Sequence, residues 1–267
     1  MKKVWIFLLF LAVIVFVVWV IWANTALEMN TFTIQESSLP SEFDGFRIAH
    51  ISDFHSANLG DAVLEMLQDA KPDVICITGD LVDCRDTDTR IVMEFITKAV
   101  EIAPCYFVTG NHEMLVSDVL YQSLLADLIN AGVVLLDDCA VFLEKDGAVI
   151  ALAGHFWGDT EQVGRISTFD GYRILLSHQP EALNDYASGA YELVLTGHAH
   201  GGQFRLPFVG GIYAPGQGFF PAYDSGLFSQ GSTDMIVSRG IGNSTIPLRF
   251  NNRPEVILVE LHCLTDD

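Results

Sequence analysis

Five short apolar runs, at residues 46–52, 74–78, 106–109, 174–177 and 193–196, each lead directly into Asp, Asn or His, with at most a glycine between. Runs of four to seven residues rich in Ile, Val and Leu read as buried strands. Amphipathic stretches of helical length lie among them, at 61–69, 90–102 and 115–131. Alternation of strand and helix predicts an α/β sheet with parallel members. In such sheets ligands gather outside the carboxyl ends of the strands. The polar residues that follow the runs should therefore converge on one rim. After His200 the chain turns rich in Gly and Pro, with β-like pieces at 210–213, 235–238 and 256–261. That change predicts hairpins and a second sheet rather than further strand–helix units.

Ahead of this pattern every residue from Val4 to Ala23 is apolar, preceded by Lys2 and Lys3. Twenty residues at about 1.5 Å each span roughly 30 Å, the thickness of a bilayer core. A cleaved leader would have an apolar region of about 7–15 residues followed by small residues. Here the run is longer, holds Trp5, Trp19 and Trp22 towards its ends, and runs on into Ala23-Asn24-Thr25-Ala26, a poor cleavage site. We expect a retained anchor at 1–26 and one catalytic domain at 27–267. The two lysines predict a cytoplasmic N-terminus and a domain outside the cell membrane.

That domain holds all 34 acidic residues against 12 of the 14 basic ones, a net charge of −22. Such a surface repels nucleic acid and anionic headgroups at long range. It argues against a nuclease, although a site can reverse the sign locally. The five cysteines (Cys76, Cys84, Cys105, Cys139 and Cys263) form no C-x-x-C pair, so neither a zinc ribbon nor a redox motif is indicated.

The residues at the strand ends have the chemistry of metal ligands. Asp53 and His55 stand two apart, as do His198 and His200, so each pair should point the same way on extended chain. Asp80 follows Gly79, Asn111 follows Gly110, and His178 closes the fourth run. Carboxylate, imidazole and amide oxygen together suit Mn, Fe, Zn or Co better than Ca or Mg alone. Seven such groups are too many for one ion and enough for two.

The ordered pattern Asp53-x-His55, Gly79-Asp80-x-x-Asp83, Gly110-Asn111-His112-Glu113, His178, Gly197-His198-x-His200 resembles the calcineurin-like metallophosphoesterase superfamily. Leu176-Ser177-His178-Gln179-Pro180-Glu181, Gly201-Gly202-Gln203, Ser238-Arg239-Gly240-Ile241-Gly242-Asn243-Ser244 and Pro247-Leu248-Arg249-Phe250 resemble its membrane-anchored YkuE/YaeI-like branch. The resemblance implies a four-layer α-β-β-α sandwich with the site at its rim. It implies a first divalent metal on Asp53, His55 and His200, and a second on Asn111, His178 and His198, with Asp80 bridging. It also implies His112 as general acid or as a support for developing charge, with Asp83 orienting it. Two divalent ions there would reverse the local charge where phosphate docks and acidify a shared water.

Arg239, Asn243 and Arg249 are candidates for phosphate contact in a chain with few cations. Phe219, Phe220, Leu227 and Phe228 could form an apolar lip for acyl chains or a hairpin packed on the core. His155 stands where the resemblance leads one to expect acidic residues, and could touch substrate. His50 and His262 read as structural. The expected activity is hydrolysis of a phosphodiester, pyrophosphate or phosphomonoester, with tethering favouring a lipid or envelope substrate. Two rivals are a secreted nucleotidase or phosphodiesterase acting on soluble substrates, and a non-catalytic tethered metal-binding scaffold. His112 and Asp83 speak against the scaffold, which needs neither merely to hold metal.

Overall fold

A computed structural model describes residues 2–85, 88–158, 163, 169–243 and 247–264. Ser244, at the end of one of the motifs above, lies outside the described residues. The chain opens with helix α1 (Lys2–Thr25), largely exposed and long and apolar enough to cross a bilayer.

The first sheet has the order β1-β16-β2-β3-β4-β5, from Glu28–Glu36, Glu255–Cys263, Phe46–Ile51, Val74–Thr78, Cys105–Val108 and Val134–Leu135. β2 to β5 are parallel, and β16 runs antiparallel to β2. The helices α2 (Gly60–Ala70), α3 (Arg90–Ala99), α4 (Asn111–Leu115) and α5 (Asp118–Ala131) fill the crossovers. The second sheet has the order β14-β15-β9-β8-β7-β6, from Gly226–Gln230, Thr233–Val237, Leu193–Thr196, Arg173–Leu176, Ala148–Gly154 and Cys139–Lys145. The short helix α6 (Leu183–Ser188) covers its outer face. Two small hairpins, β10–β11 (Arg205–Leu206, Gly210–Gly211) and β12–β13 (Tyr213–Ala214, Gly218–Phe219), stand on the rim.

Three cores separate four layers, as the resemblance implied. Strand alternation divides them. Ala49, Ile51, Ile75 and Ile77 face α2, α3 and α5, while Ile48, Val74 and Cys76 meet Ile174, Leu176, Leu193 and Leu195 between the sheets. Leu175, Val194 and Val237 pack outward against Leu183 and Tyr186. All five cysteines are free.

The expected second sheet after His200 is only partly right. Residues 226–237 do join that sheet, but it already begins with β6 and β7, and 255–263 returns to the first sheet between β1 and β2. The stretch expected to be one helix at 115–131 starts anew at Asp118, where Ser117 caps it by accepting the Leu120 N–H.

The strand directions fix where α1 enters. β16 is antiparallel to β2, and β1 is parallel to β16 with Glu28 opposite Glu255. The start of β1 therefore lies at the carboxyl ends of β2, β3 and β4. The last turns of α1 are packed there. Asn24 donates to the Arg249 carbonyl (2.9 Å) and accepts the Arg249 N–H (2.7 Å), and Trp19 meets Phe250 edge-on at 4.8 Å. Arg253 lies over the Trp22 ring and donates to the Ala26 and Leu27 carbonyls.

Arg249 is wholly buried. Its guanidinium donates to the Gly242 and Arg239 carbonyls and to Asn243 Oδ1. Removing a buried donor strands its acceptors at about 1–3 kcal/mol each. Arg249→Leu should lower the thermal midpoint of the detergent-solubilised protein by roughly 5–10 °C. A differential scanning fluorimetry trace matching the wild type would remove Arg249 from the framework.

Candidate metal centre

β2 ends at Ile51, and Asp53, His55 and Ser56 then take left-handed backbone angles (φ 51°, 45° and 52°). Asp80 (55°), His198 (65°) and His200 (48°) do the same. Non-glycine residues adopt this region at a cost of about 1–3 kcal/mol, which persists where surrounding structure enforces it. Five of the seven ligand candidates are held so. Asp53 and His55 therefore converge through a tight turn rather than by strand alternation, which corrects the expectation from their spacing.

The neighbouring glycines are steric requirements. A Cβ on Gly110 would lie 2.3 Å from Asp80 Oδ1, and one on Gly197 would lie 1.8 Å from Ser52 Oγ. Only hydrogen fits at either place. Backbone N–H groups and one hydroxyl then fix the carboxylates: the His112 N–H donates to Asp80 Oδ1 (2.8 Å), and the His198 N–H and the Ser52 hydroxyl donate to Asp53 Oδ2 (3.0 and 2.7 Å).

Two groups of side chains result, and they share Asp80. In the first, ligand atoms of Asp53, His55, Asp80 and His200 all lie within 4.8 Å of one another. His55 Nε2 and His200 Nε2 are 3.3 Å apart, and His200 Nε2 is 3.3 Å from Asp53 Oδ1. The second contains Asp80, His178 and His198, with Asn111 Oδ1 3.2 Å from His178 Nε2. The seven candidates thus stand together, all but Asn111 buried.

Donor chemistry shows that this cluster suits cations. The Thr78 carbonyl 2.6 Å from His178 Nδ1 can only accept, so in the neutral ring Nε2 carries the lone pair. That lone pair faces Asn111 Oδ1 and Asp80 Oδ2, each 3.2 Å away. Asp80 Oδ2 is buried and accepts no hydrogen bond from the described residues. Acceptors facing acceptors call for positive charge between them. Burial opposes a proton on His178, yet Asp80 and Asp53 outweigh it and push the ring up to about 10. Burial holds His198 and His200 down to about 3, leaving them neutral and able to act as ligands.

His112 lines a cavity of about 220 Å³ with Asp80, Asn111, His198, His200 and Pro215. Its Nδ1 accepts the Cys84 N–H at 3.1 Å, while Asp83 Oδ1 is 3.9 Å away, beyond hydrogen-bonding range. The orienting contact expected from Asp83 thus comes from the Cys84 backbone. Asp83 instead receives Arg85 through Nε and the backbone N–H (2.8 and 2.9 Å), and that pairing brings its carboxyl down to about 2.

The three phosphate-contact candidates are engaged elsewhere. Arg239 pairs with Glu255 and Glu28, Arg249 is buried as described, and Asn243 serves Arg249. Of the expected lip, Phe219, Phe220 and Leu227 are exposed, while Phe228 packs against Tyr223. His155 lies 3.4 Å from Asp138; His50 bonds Thr78 Oγ1 between strands, and His262 bonds Asp44.

Sequence reasoning missed three residues at the site. Arg85 lines the cavity mouth, and Trp157 sets its ring edge-on to His178 and His198 at 5.4 and 4.7 Å. Glu113, fully buried, accepts the N–H groups of Asp80, Gly110 and Val82 at 2.8, 2.9 and 3.2 Å. Burial and then Asp80 push its carboxyl up to about 7 against those donors. The motif position alone shows Glu113 near Asn111, but the three donors come from two turns that only the fold unites.

Glu113→Gln provides one oxygen where three N–H groups converge on two. It should fold with a lowered thermal midpoint and bind less metal than wild type. Normal metal content by inductively coupled plasma mass spectrometry would show that Glu113 does not position Asp80.

The sequence pattern of calcineurin-like phosphoesterases matches residues 46–202. The chain is 32% identical over 250 residues to the uncharacterized metallophosphoesterase YkuE of Bacillus subtilis, covering 88% of this chain and 85% of YkuE. It is 29% identical over 226 residues to the phosphodiesterase YaeI of Escherichia coli, covering 81% and 82%. A transmembrane protein with a metallophosphoesterase domain from Danio rerio is 30% identical over 252 residues, covering 85% of this chain and 56% of that protein. Among solved structures, the sulfate thiohydrolase SoxB of Thermus thermophilus superposes with a TM-score of 0.54 at 11% identity, covering 84% of this chain and 57% of SoxB. The protein TT1561, also of Thermus thermophilus, gives 0.50 at 12%, covering 74% and 90%. At such identities the likeness is one of fold. Matched over more than half its length and by relatives spanning most of it, the chain belongs to the calcineurin-like phosphoesterase family and is a metal-dependent phosphoric ester hydrolase.

Proposed function

We propose that the chain is a binuclear phosphoesterase that hydrolyses phosphodiester, pyrophosphate or phosphomonoester bonds of lipid or envelope substrates at the outer face of the cell membrane. Residues 1–26 are its anchor and 27–267 its catalytic domain. The observation that carries this reading is the entry of α1 at the carboxyl ends of β2, β3 and β4, the same rim that bears the Asp and His cluster. In this reading the centre faces the membrane. A site built for bulk solutes has no need of that orientation.

In this reading Asp53, His55 and His200 would hold one divalent ion and Asn111, His178 and His198 the other, with Asp80 shared between the two groups. Mn, Fe and Zn all suit the donor set. Ions bound there polarise a phosphoryl oxygen and acidify water. His112 does the complementary work. With the Cys84 N–H on Nδ1, its ring is neutral and its proton sits on Nε2. It is therefore a hydrogen-bond donor to the leaving oxygen or to charge growing on phosphate, rather than a charged acid. Arg85, held by Asp83 at the cavity mouth, binds an equatorial phosphate oxygen.

Two variants separate holding metal from using it. His112→Gln should retain wild-type metal content and lose roughly 10²–10⁴ in kcat, the scale for a proton-handling group. Asp80→Ala should lose metal and turnover together; full occupancy in that variant would contradict the bridging role.

The substrate class is tested with the full chain in detergent micelles. A phospholipid or lipid-linked pyrophosphate dispersed in the micelle should be cleaved far faster than a water-soluble nucleotide diester. Equal rates would favour a phosphodiesterase of soluble substrates.

A further inference from the structure

The rim that bears the metal centre also bears exposed apolar side chains. The His198–His200 turn runs straight into the two small hairpins. Ile212 N–H donates to the Gly202 and Phe204 carbonyls, and a Cβ on Gly202 would lie 2.3 Å from Gly211 Cα. The hairpins are thus fixed to the loop that presents two of the ligand candidates. At the tip of the first, Phe208 is fully exposed, with Leu206 and Val209 also outward. At the second, Phe219 (73%) and Phe220 (66%) are exposed, with Tyr213 against Phe219 at 5.4 Å.

Their height relative to α1 follows from the chain. Phe204 bridges Phe250, and the Arg205 N–H donates to the Phe250 carbonyl. Phe250 packs on Trp19, and Arg249 bonds Asn24. Trp19 lies five residues before Asn24, about 7.5 Å further down the helix axis. Phe250 therefore sits beside a part of α1 that lies inside the apolar span. Phe208 is three residues beyond Arg205, within about 10 Å at the reach of extended chain. The first hairpin thus springs from the contact between α1 and the domain, and the second follows it in the chain.

We propose that the two hairpin tips, led by Phe208 and by Phe219 with Phe220, insert into the bilayer that α1 crosses and seat the mouth of the metal centre on the lipid headgroups. This rests on the reading of α1 as a membrane span. Charge does not provide the contact, because the domain carries 34 acidic against 12 basic residues and repels anionic headgroups at a distance. Apolar and aromatic side chains at the interface do. Exposed clusters of this kind rimmed by polar surface mark such contacts. The insertion would let a lipid phosphate reach the ions without leaving the membrane plane.

The test uses the full chain reconstituted in phosphatidylcholine vesicles, with Cys84, Cys139 and Cys263 changed to Ser. Single sites Phe208→Cys, Phe219→Cys and Ile129→Cys carry a bimane label. Ile129 is exposed near the end of α5 that leads into β5, opposite the rim, and serves as the water-facing reference. Labels at 208 and 219 should be quenched several-fold less by iodide than the label at 129, and strongly by doxyl-labelled lipid. Iodide quenching equal to that at 129 would overturn the insertion. In the otherwise native chain, Phe208→Ser with Phe219→Ser should reduce cleavage of a vesicle lipid several-fold and leave a soluble diester unchanged. An equal loss on both substrates would instead make the tips part of the fold. Shielded labels without lipid cleavage would sustain the insertion and dismiss the lipid substrate, so the two readings fail separately.

Discussion

Asp53 and Asp80 are buried carboxylates on adjacent strand ends, and much of the surrounding structure is arranged around their negative charge. A buried carboxylate without compensation costs many kcal/mol. Here backbone N–H groups bind one side of each, and histidines crowd the other. The left-handed turns, the glycines with no room for a Cβ, and the N–H donors gathered by Glu113 all hold those oxygens in place. What remains is a set of lone pairs directed at one another, which is the condition for binding cations rather than for packing.

A second layer of support comes from the end of the chain. Gly240 and Gly242 pass so close behind Asp53 and His55 that a Cβ on either would collide with them. Arg249 ties that segment down through the Gly242 and Arg239 carbonyls, and Asn252 donates to the His200 carbonyl. The same segment receives Asn24 and Trp19 of α1. α1, the brace and the Asp and His cluster thus form one connected assembly.

Much of this is legible in the sequence because the strands that bear the site are fully buried. Residues 74–78 and 193–196 read as strands and are strands to the residue, being apolar on both faces. The edge strand 28–36 is invisible for the opposite reason. Of its nine residues only Ile34 is buried, so no pattern separates it from a linker. The hairpin of β6 and β7 does carry a signal, the Asp146-Gly147 turn with both residues at positive φ, though the strand pattern around it is too weak to draw the eye. The ligand candidates are readable because spacing and residue type survive without coordinates. Arg249 misleads because nothing local tells a phosphate-binding arginine from a buried brace. Arg85 gives no signal, since its importance comes from Asp83 holding it at a cavity mouth.

Between the end of α1 at Thr25 and the start of β1 at Glu28 only two residues intervene, and Arg253 binds both of their carbonyls. The catalytic domain has no tether on which to swing. If α1 spans a bilayer, the enzyme samples a layer of solution one domain deep, and its collisions are counted per area rather than per volume. Its rate would then follow the mole fraction of substrate in the surrounding lipid. Diluting the membrane with inert lipid would slow it even at constant total substrate, as expected for a reagent confined to two dimensions.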